Sequence, residues 1–217
     1  MDLIERIDAL IRDGHLLTHP FYTRWREGTL PVEAIQEYTR QYYAFESAFP
    51  RLLSAIHTRT EDPVVRQSIL TNLWDEEHGE VNHAELWLRF AEGMGVARDE
   101  VTDGEPNEGT KALMAAYWGM ATDGAPVAGI AAMYAYEAQV PDVATEKING
   151  LRDRYGIDDA RTLAFFTVHS TLDLEHSAHE REAIRRTTAT DAEADAAVAA
   201  TTKALDAWWG FLDAVNV

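Results

Sequence analysis

Residues 168–180 read VHSTLDLEHSAHE. Within them His169, Asp173 and His176 are separated by four and then three positions, so at about 100° per residue all three point to one face of a helix. Phe165, Phe166 and Leu172 flank that face. Unpaired polar groups in apolar surroundings are strongly unfavourable. The face is therefore a poor core element and a good metal-binding one.

Outward from this stretch the helical period continues nearly everywhere. Leu3, Ile4, Ile7, Leu10 and Ile11 follow the pattern of an amphipathic helix, which Gly14 closes. A longer run opens at Pro31, suited to a first helical position, and carries Ile35, Tyr38, Tyr42, Phe45 and Phe49 before Pro50 bends or interrupts it. Asp62-Pro63, an N-cap acid and an N1 proline, starts a stretch read as continuous until Gly93 and Gly95 end it. Residues 96–110 are the most loop-like, with Asp103-Gly104 and Pro106-Asn107 as turn signals. Helical patterning resumes near Lys111, breaks at Asp123-Gly124, runs from Ala128 to about Asn149 and stops at Gly150. Another helix spans Asp158 to about Arg186, and residues 190–193 form a capping box for the last one. With no strict alternation and no repeat, the expectation is one all-α bundle over residues 1–217.

Composition narrows the function. With 37 acidic and 19 basic side chains the net charge is −18, which argues against nucleic acid or an anionic membrane as partner. There is no cysteine, hence no disulfide framework, no thiolate metal site and no cysteine nucleophile. No segment approaches the roughly 18 apolar residues of a membrane span, and the first residues lack the apolar core of a signal peptide, so a cytoplasmic protein is expected. Lysine occurs only at positions 111, 147 and 203.

Bundle cores are where facing helices assemble metal sites, and two further segments interrupt their apolar stripes. In NLWDEEHGEVNHAELW, residues 72–87, Glu76 and His83 lie seven apart, two turns along one face, between Leu73 and Leu86. Glu80 is three before His83, the Glu-x-x-His arrangement of di-iron bundles, so Glu76 and Glu80 compete as ligand. In GIAAMYAYEAQVP, residues 129–141, Glu137 is the one charge between Ala125 and Val140. Pro141, four residues on, cannot return a hydrogen bond to its carbonyl, so the helix should kink or pause there. Glu76, His83, Glu137, His169, Asp173 and His176 make an oxygen and nitrogen set suited to iron or manganese, and six ligands suit a carboxylate-bridged pair of metals. His57, His78 and His179 read as bystanders, although His176 and His179, three apart, also form a helical pair able to bind metal.

This spacing, with six residues between Glu76 and His83, fifty-three to Glu137 and thirty-one to His169, resembles the heme-oxygenase-like di-metal oxidases and oxygenases of the TenA/PqqC-like superfamily. Within them it is most similar to the CADD branch, named for a chlamydial protein associating with death domains and tied to folate metabolism. The resemblance covers about residues 10–185. It implies a heme-oxygenase-like fold of about seven helices that binds no heme and holds two metal ions, Fe/Fe or Fe/Mn. It further implies a self-sacrificing 4-aminobenzoate synthase in which dioxygen and an external reductant are consumed and one of the protein's own tyrosines supplies the ring. Tyr22 in THPFYTRW stands at the position of that tyrosine, Lys147 in ATEKING at that of the lysine implicated as amino donor, and Tyr38 at that of a second tyrosine. Tyr42 and Tyr43 add nearby hydroxyls.

An unbroken helix would put Lys147 about 15 Å beyond Glu137, too far for direct ligation, so its role requires Pro141 to redirect the chain or the side chain to reach inward. Two other classes compete. One is a multi-turnover oxidase of the same fold acting on an external fatty acid or amino acid. The other is a non-catalytic metal-binding or interaction protein, using the acidic surface and Trp208, Trp209 and Phe211 of the last helix for a partner or a homodimer. A thiaminase-like activity is disfavoured for lack of a cysteine nucleophile, and a cofactor-free ring oxidase of the pyrroloquinoline-quinone type would not need two ligand faces.

Overall fold

The computed structural model describes residues 2–216, and for residues 171–175 the backbone alone. Eleven α-helices and one 3₁₀ turn are present among them, and no strand. The all-α expectation stands, while the helix count exceeds seven because several long sequence patterns are cut by short turns.

Helix α1, Leu3–Asp13, is closed at its start by the reciprocal Asp2 and Glu5 capping box and buries Ile4, Ile7 and Ile11. A 3₁₀ turn at Leu16–Thr18 leads into α2, Pro20–Glu27. His19 is the N-cap of α2: its Nδ1 accepts the Phe21 N–H, and its Nε2 lies 3.1 Å from Asp213. Helix α3, Val32–Arg59, runs unbroken through Pro50, with Pro31 as N-cap instead of the first helical residue.

The stretch from Pro63 is not continuous. Helix α4, Pro63–Glu77, and α5, His83–Gly93, are separated by residues 78–82. Gly79 adopts φ +88°, a left-handed conformation that glycine takes without strain, and Asn82 caps α5 by accepting the Glu85 N–H. The supposed loop at 96–110 contains the short α6, Arg98–Thr102, and α7, Glu108–Thr122, starts at the Asn107 cap.

Helix α8, Pro126–Glu137, is apolar on every side and buried along nearly its whole length, as a helix surrounded by others must be. It packs on α7 and on two helices still to come, α10, Ala160–Thr187, and α11, Asp191–Val215. The chain pauses at Ala138–Gln139, where Pro141 falls in the first turn of α9, Val140–Tyr155. Gly150 does not end this helix. A Cβ there would stand 2.3 Å from Trp25 Nε1, so glycine permits close packing of α9 on α2, and Gly156 at φ +70° is the true stop.

The last helix turns its aromatic residues inward. Trp208 and Phe211 are buried, with Trp208 Nε1 donating to the Tyr117 hydroxyl. Trp209 Nε1 donates to the Gly14 carbonyl and packs edge-on against His19. These side chains hold the bundle together, which corrects their reading as a partner surface. No helix among the described residues is long and apolar enough to cross a membrane.

Candidate metal centre

Glu76 near the end of α4, His83 at the first position of α5 and His169 in α10 are each about 95% buried. One potential ligand atom of each lies within 4.8 Å of the others. The turn at Gly79, not a shared helix face, brings the first two together, with His83 Nδ1 2.8 Å from Glu76 Oε2. Glu80 sits on that turn, exposed. The His169 Nδ1 is 2.8 Å from the Phe165 carbonyl, which can only accept, so Nδ1 carries the hydrogen and Nε2 the lone pair.

Burial alone pushes the Glu76 carboxyl up. The charge of His83, the contact with it, and the charges of His169 and His176 more than offset this and hold it below the ordinary carboxylate value.

A second group adjoins the first. Glu137, at the end of α8 and 1% exposed, receives the Asn72 amide on both oxygens, at 2.9 and 3.2 Å. His176 Nδ1 is 4.0 Å from Glu137 Oε2, and its Nε2 is 3.1 Å from Asp75 Oδ2. That carboxylate accepts the Nε2 hydrogen and leaves the Nδ1 lone pair toward Glu137. The side chain of Asp173, the sixth expected ligand, lies outside the described residues. Asn72 and Asp75 were not foreseen as supports, and neither was Glu46, a buried carboxylate on α3. His78 stacks on Trp74 at the surface and His57 is half-buried near the end of α3, consistent with their reading as bystanders.

A buried set of carboxylates and imidazoles has the donor chemistry of a non-thiolate transition-metal site, which is the physical test that these residues meet.

Beside this cage lies an aromatic chamber lined by Tyr22, Tyr38, Tyr42, Tyr136, Lys147, Phe166 and others. Tyr42, Tyr136 and His169 line both spaces. Lys147 is 4% exposed, because the pause before α9 has turned its side chain into the bundle. Its Nζ donates to the Tyr38 hydroxyl at 2.5 Å and lies 4.6 Å from the Tyr38 ring centroid and 5.8 Å from that of Tyr22. Burial pulls this ammonium down to about 7, partly opposed by the charge of Glu46. The Tyr22 phenol is pushed up by burial and drawn back by its hydrogen bond with Tyr38. Tyr42 and Tyr136 share a hydroxyl–hydroxyl hydrogen bond.

An all-helical bundle with a buried glutamate and histidine cage of this kind has the make-up of a helical metalloprotein. The chain belongs to the iron-containing redox enzymes: the model of that family matches residues 36–209. It is 39% identical to the 4-aminobenzoate synthase of Chlamydia muridarum over 98% of this chain and 89% of that one. It is also 39% identical to the 4-aminobenzoate synthase of Nitrosomonas europaea, over 98% of this chain and 90% of the relative. In three dimensions it superposes on a TenA homologue from Pseudomonas syringae with a TM-score of 0.84, at 17% identity, covering 98% of this chain and 90% of the other, which shows the shared fold.

Proposed function

We propose that this enzyme is a 4-aminobenzoate synthase that takes the aromatic ring from its own Tyr22 and the nitrogen from Lys147. The observation that carries the reading is the packing of Lys147 against Tyr38 and Tyr22 in a chamber that shares His169 with the cage. Free space for the centres of water-sized molecules in that chamber is about 20 Å³. That is room for about one such molecule. Tyr22→Phe and Lys147→Arg separate this reading from the multi-turnover oxidase, whose catalysis would survive both substitutions.

Glu76, His83 and His169 would hold one metal ion, and Glu137 and His176, with Asp173, a second. When bound, a pair of Fe/Fe or Fe/Mn ions supplies dioxygen activation and electron transfer, with an external reductant as co-substrate. The chain's own residues do the rest. Apolar walls exclude water, and burial keeps Lys147 largely uncharged above neutral pH, so its nitrogen lone pair is available. Tyr38 bridges Lys147 and Tyr22 and holds both in register for bond formation. The hydrogen-bonded Tyr42 and Tyr136 lie between this pair and the cage and offer hydroxyls for proton movement. The reading takes the protein as cytoplasmic and homodimeric, the latter testable by light scattering.

The test compares Tyr22→Phe and Lys147→Arg with the wild type in iron, dioxygen and reductant. Loss of 4-aminobenzoate in both variants, with metal content retained, supports the reading. Sustained product formation by either variant overturns it.

A further inference from the structure

Glu46 is 4% exposed and stands on α3, four and eight residues beyond Tyr42 and Tyr38, so the three share an inward face. With Glu76, Glu137, His169 and Tyr136 it lines a single cavity. Helices α4, α5, α8 and α10 each bring a carboxylate or imidazole to the cage. Helix α3 also walls that cavity, and Glu46 is the carboxylate that it places there. Glu46 also shares a local device with Glu137. Each precedes a proline by four residues, Pro50 and Pro141, and a proline has no N–H to return to the carbonyl four positions back. Neither carboxylate residue's carbonyl therefore receives the usual helical hydrogen bond from four positions on.

A bound cation in the cavity would compensate the desolvation of a carboxylate as deeply buried as this one. Its field already reaches the aromatic chamber, where it raises Lys147 and the phenols of Tyr38 and Tyr42.

We propose that Glu46 is a further carboxylate of the metal cage, a ligand contributed by α3 in addition to the glutamates and histidines of the other helices. The inference rests on the metal-binding reading above and adds to it a donor that the six-residue spacing omits. Glu46 shares its cavity with Tyr42 and Tyr136, which also line the chamber that contains Tyr22 and Lys147.

Crystals of the full chain soaked anaerobically with manganese(II) provide the direct test, read at the manganese edge. A peak at about 2.0–2.4 Å from a Glu46 oxygen, within the range of metal–carboxylate bonds, is the expected result. Peaks among Glu76, His83, His169, Glu137 and His176 with Glu46 more than about 4 Å away overturn this inference and leave the proposed centre intact. The absence of any peak overturns both. Solution titration of the apoprotein is the second arm: Glu46→Gln should weaken manganese(II) binding roughly tenfold or more. Melting separates this role from a structural one, because the apo variant should melt no lower than apo wild type, while the manganese-loaded variant melts lower than loaded wild type. Equal manganese affinity in Glu46→Gln and wild type overturns the proposal.

Discussion

Lys147 and Tyr38 meet inside the core, Nζ to hydroxyl at 2.5 Å, from helices 109 residues apart in the chain. Their contact joins an amine that burial has brought to about 7 with a phenol that burial has raised far above its ordinary value. The phenol is therefore neutral near physiological pH, and the amine becomes mostly neutral as the pH rises above about 7, which suits bond formation in a dry chamber.

The single-turnover rate should rise with pH through about 7 and then level, as the reactive amine deprotonates. Stability should follow the same group. Its folded value lies below its unfolded one, so the unfolded chain binds the extra proton between about pH 7 and 10. In that window the wild type should gain on Lys147→Met by about 1.4 kcal/mol per pH unit, and the two curves should run parallel below it. Urea melts of both proteins from pH 6 to 10 measure this.

Tyr38→Phe removes the acceptor of the Lys147 hydrogen bond and the partner of the Tyr22 hydroxyl without changing the ring. Product yield after a single turnover should fall at least about tenfold, the scale of a lost orienting contact, while metal content stays at the wild-type level. Quantifying 4-aminobenzoate and bound iron in the same sample checks both halves.

Much of this arrangement is legible in the chain itself, and the reasons differ by element. The inward register of His169 and His176 follows from helical spacing, and the isolation of Glu137 in an apolar run marks it as buried. Glu76 and His83 were paired on a continuous helix, yet they meet because Gly79 and Asn82 break it. A short turn that folds back can join residues seven apart as well as two helical turns can. Asn72 and Asp75 look like ordinary polar residues of an amphipathic helix, and only the approach of α4 to Glu137 on α8 and to His176 on α10 reveals their partners. Glu46 did leave a signal, its four-residue spacing from Tyr42, but one acid beside aromatics is indistinguishable from a solvated face until the neighbouring helices are in place.

Asn72→Leu should expose the contribution of the support beneath Glu137. The variant loses the amide that both Glu137 oxygens accept. Supporting contacts of this kind are typically worth about 10–100-fold in metal affinity, so cobalt(II) titration of the apoprotein should show a loss in that range. An unchanged titration would mean that Glu137 orients itself without help.

Gly150→Ala tests the contact that carries Lys147's helix. Its Cβ would fall 2.3 Å from Trp25 Nε1, in a site where α9 lies directly on α2. Overpacking of this kind is expected to destabilise the fold by about 1–3 kcal/mol, visible as a lower melting temperature. Because Lys147 stands one helical turn away, product yield should fall as well.

The central claim, that Tyr22 is consumed to make the product, is tested most directly by peptide mass spectrometry after reaction of the iron-loaded protein with dioxygen and reductant. The account expects 4-aminobenzoate in no more than stoichiometric amount and a matching loss of mass confined to the peptide carrying Tyr22. Product accompanied by an intact Tyr22 would contradict it.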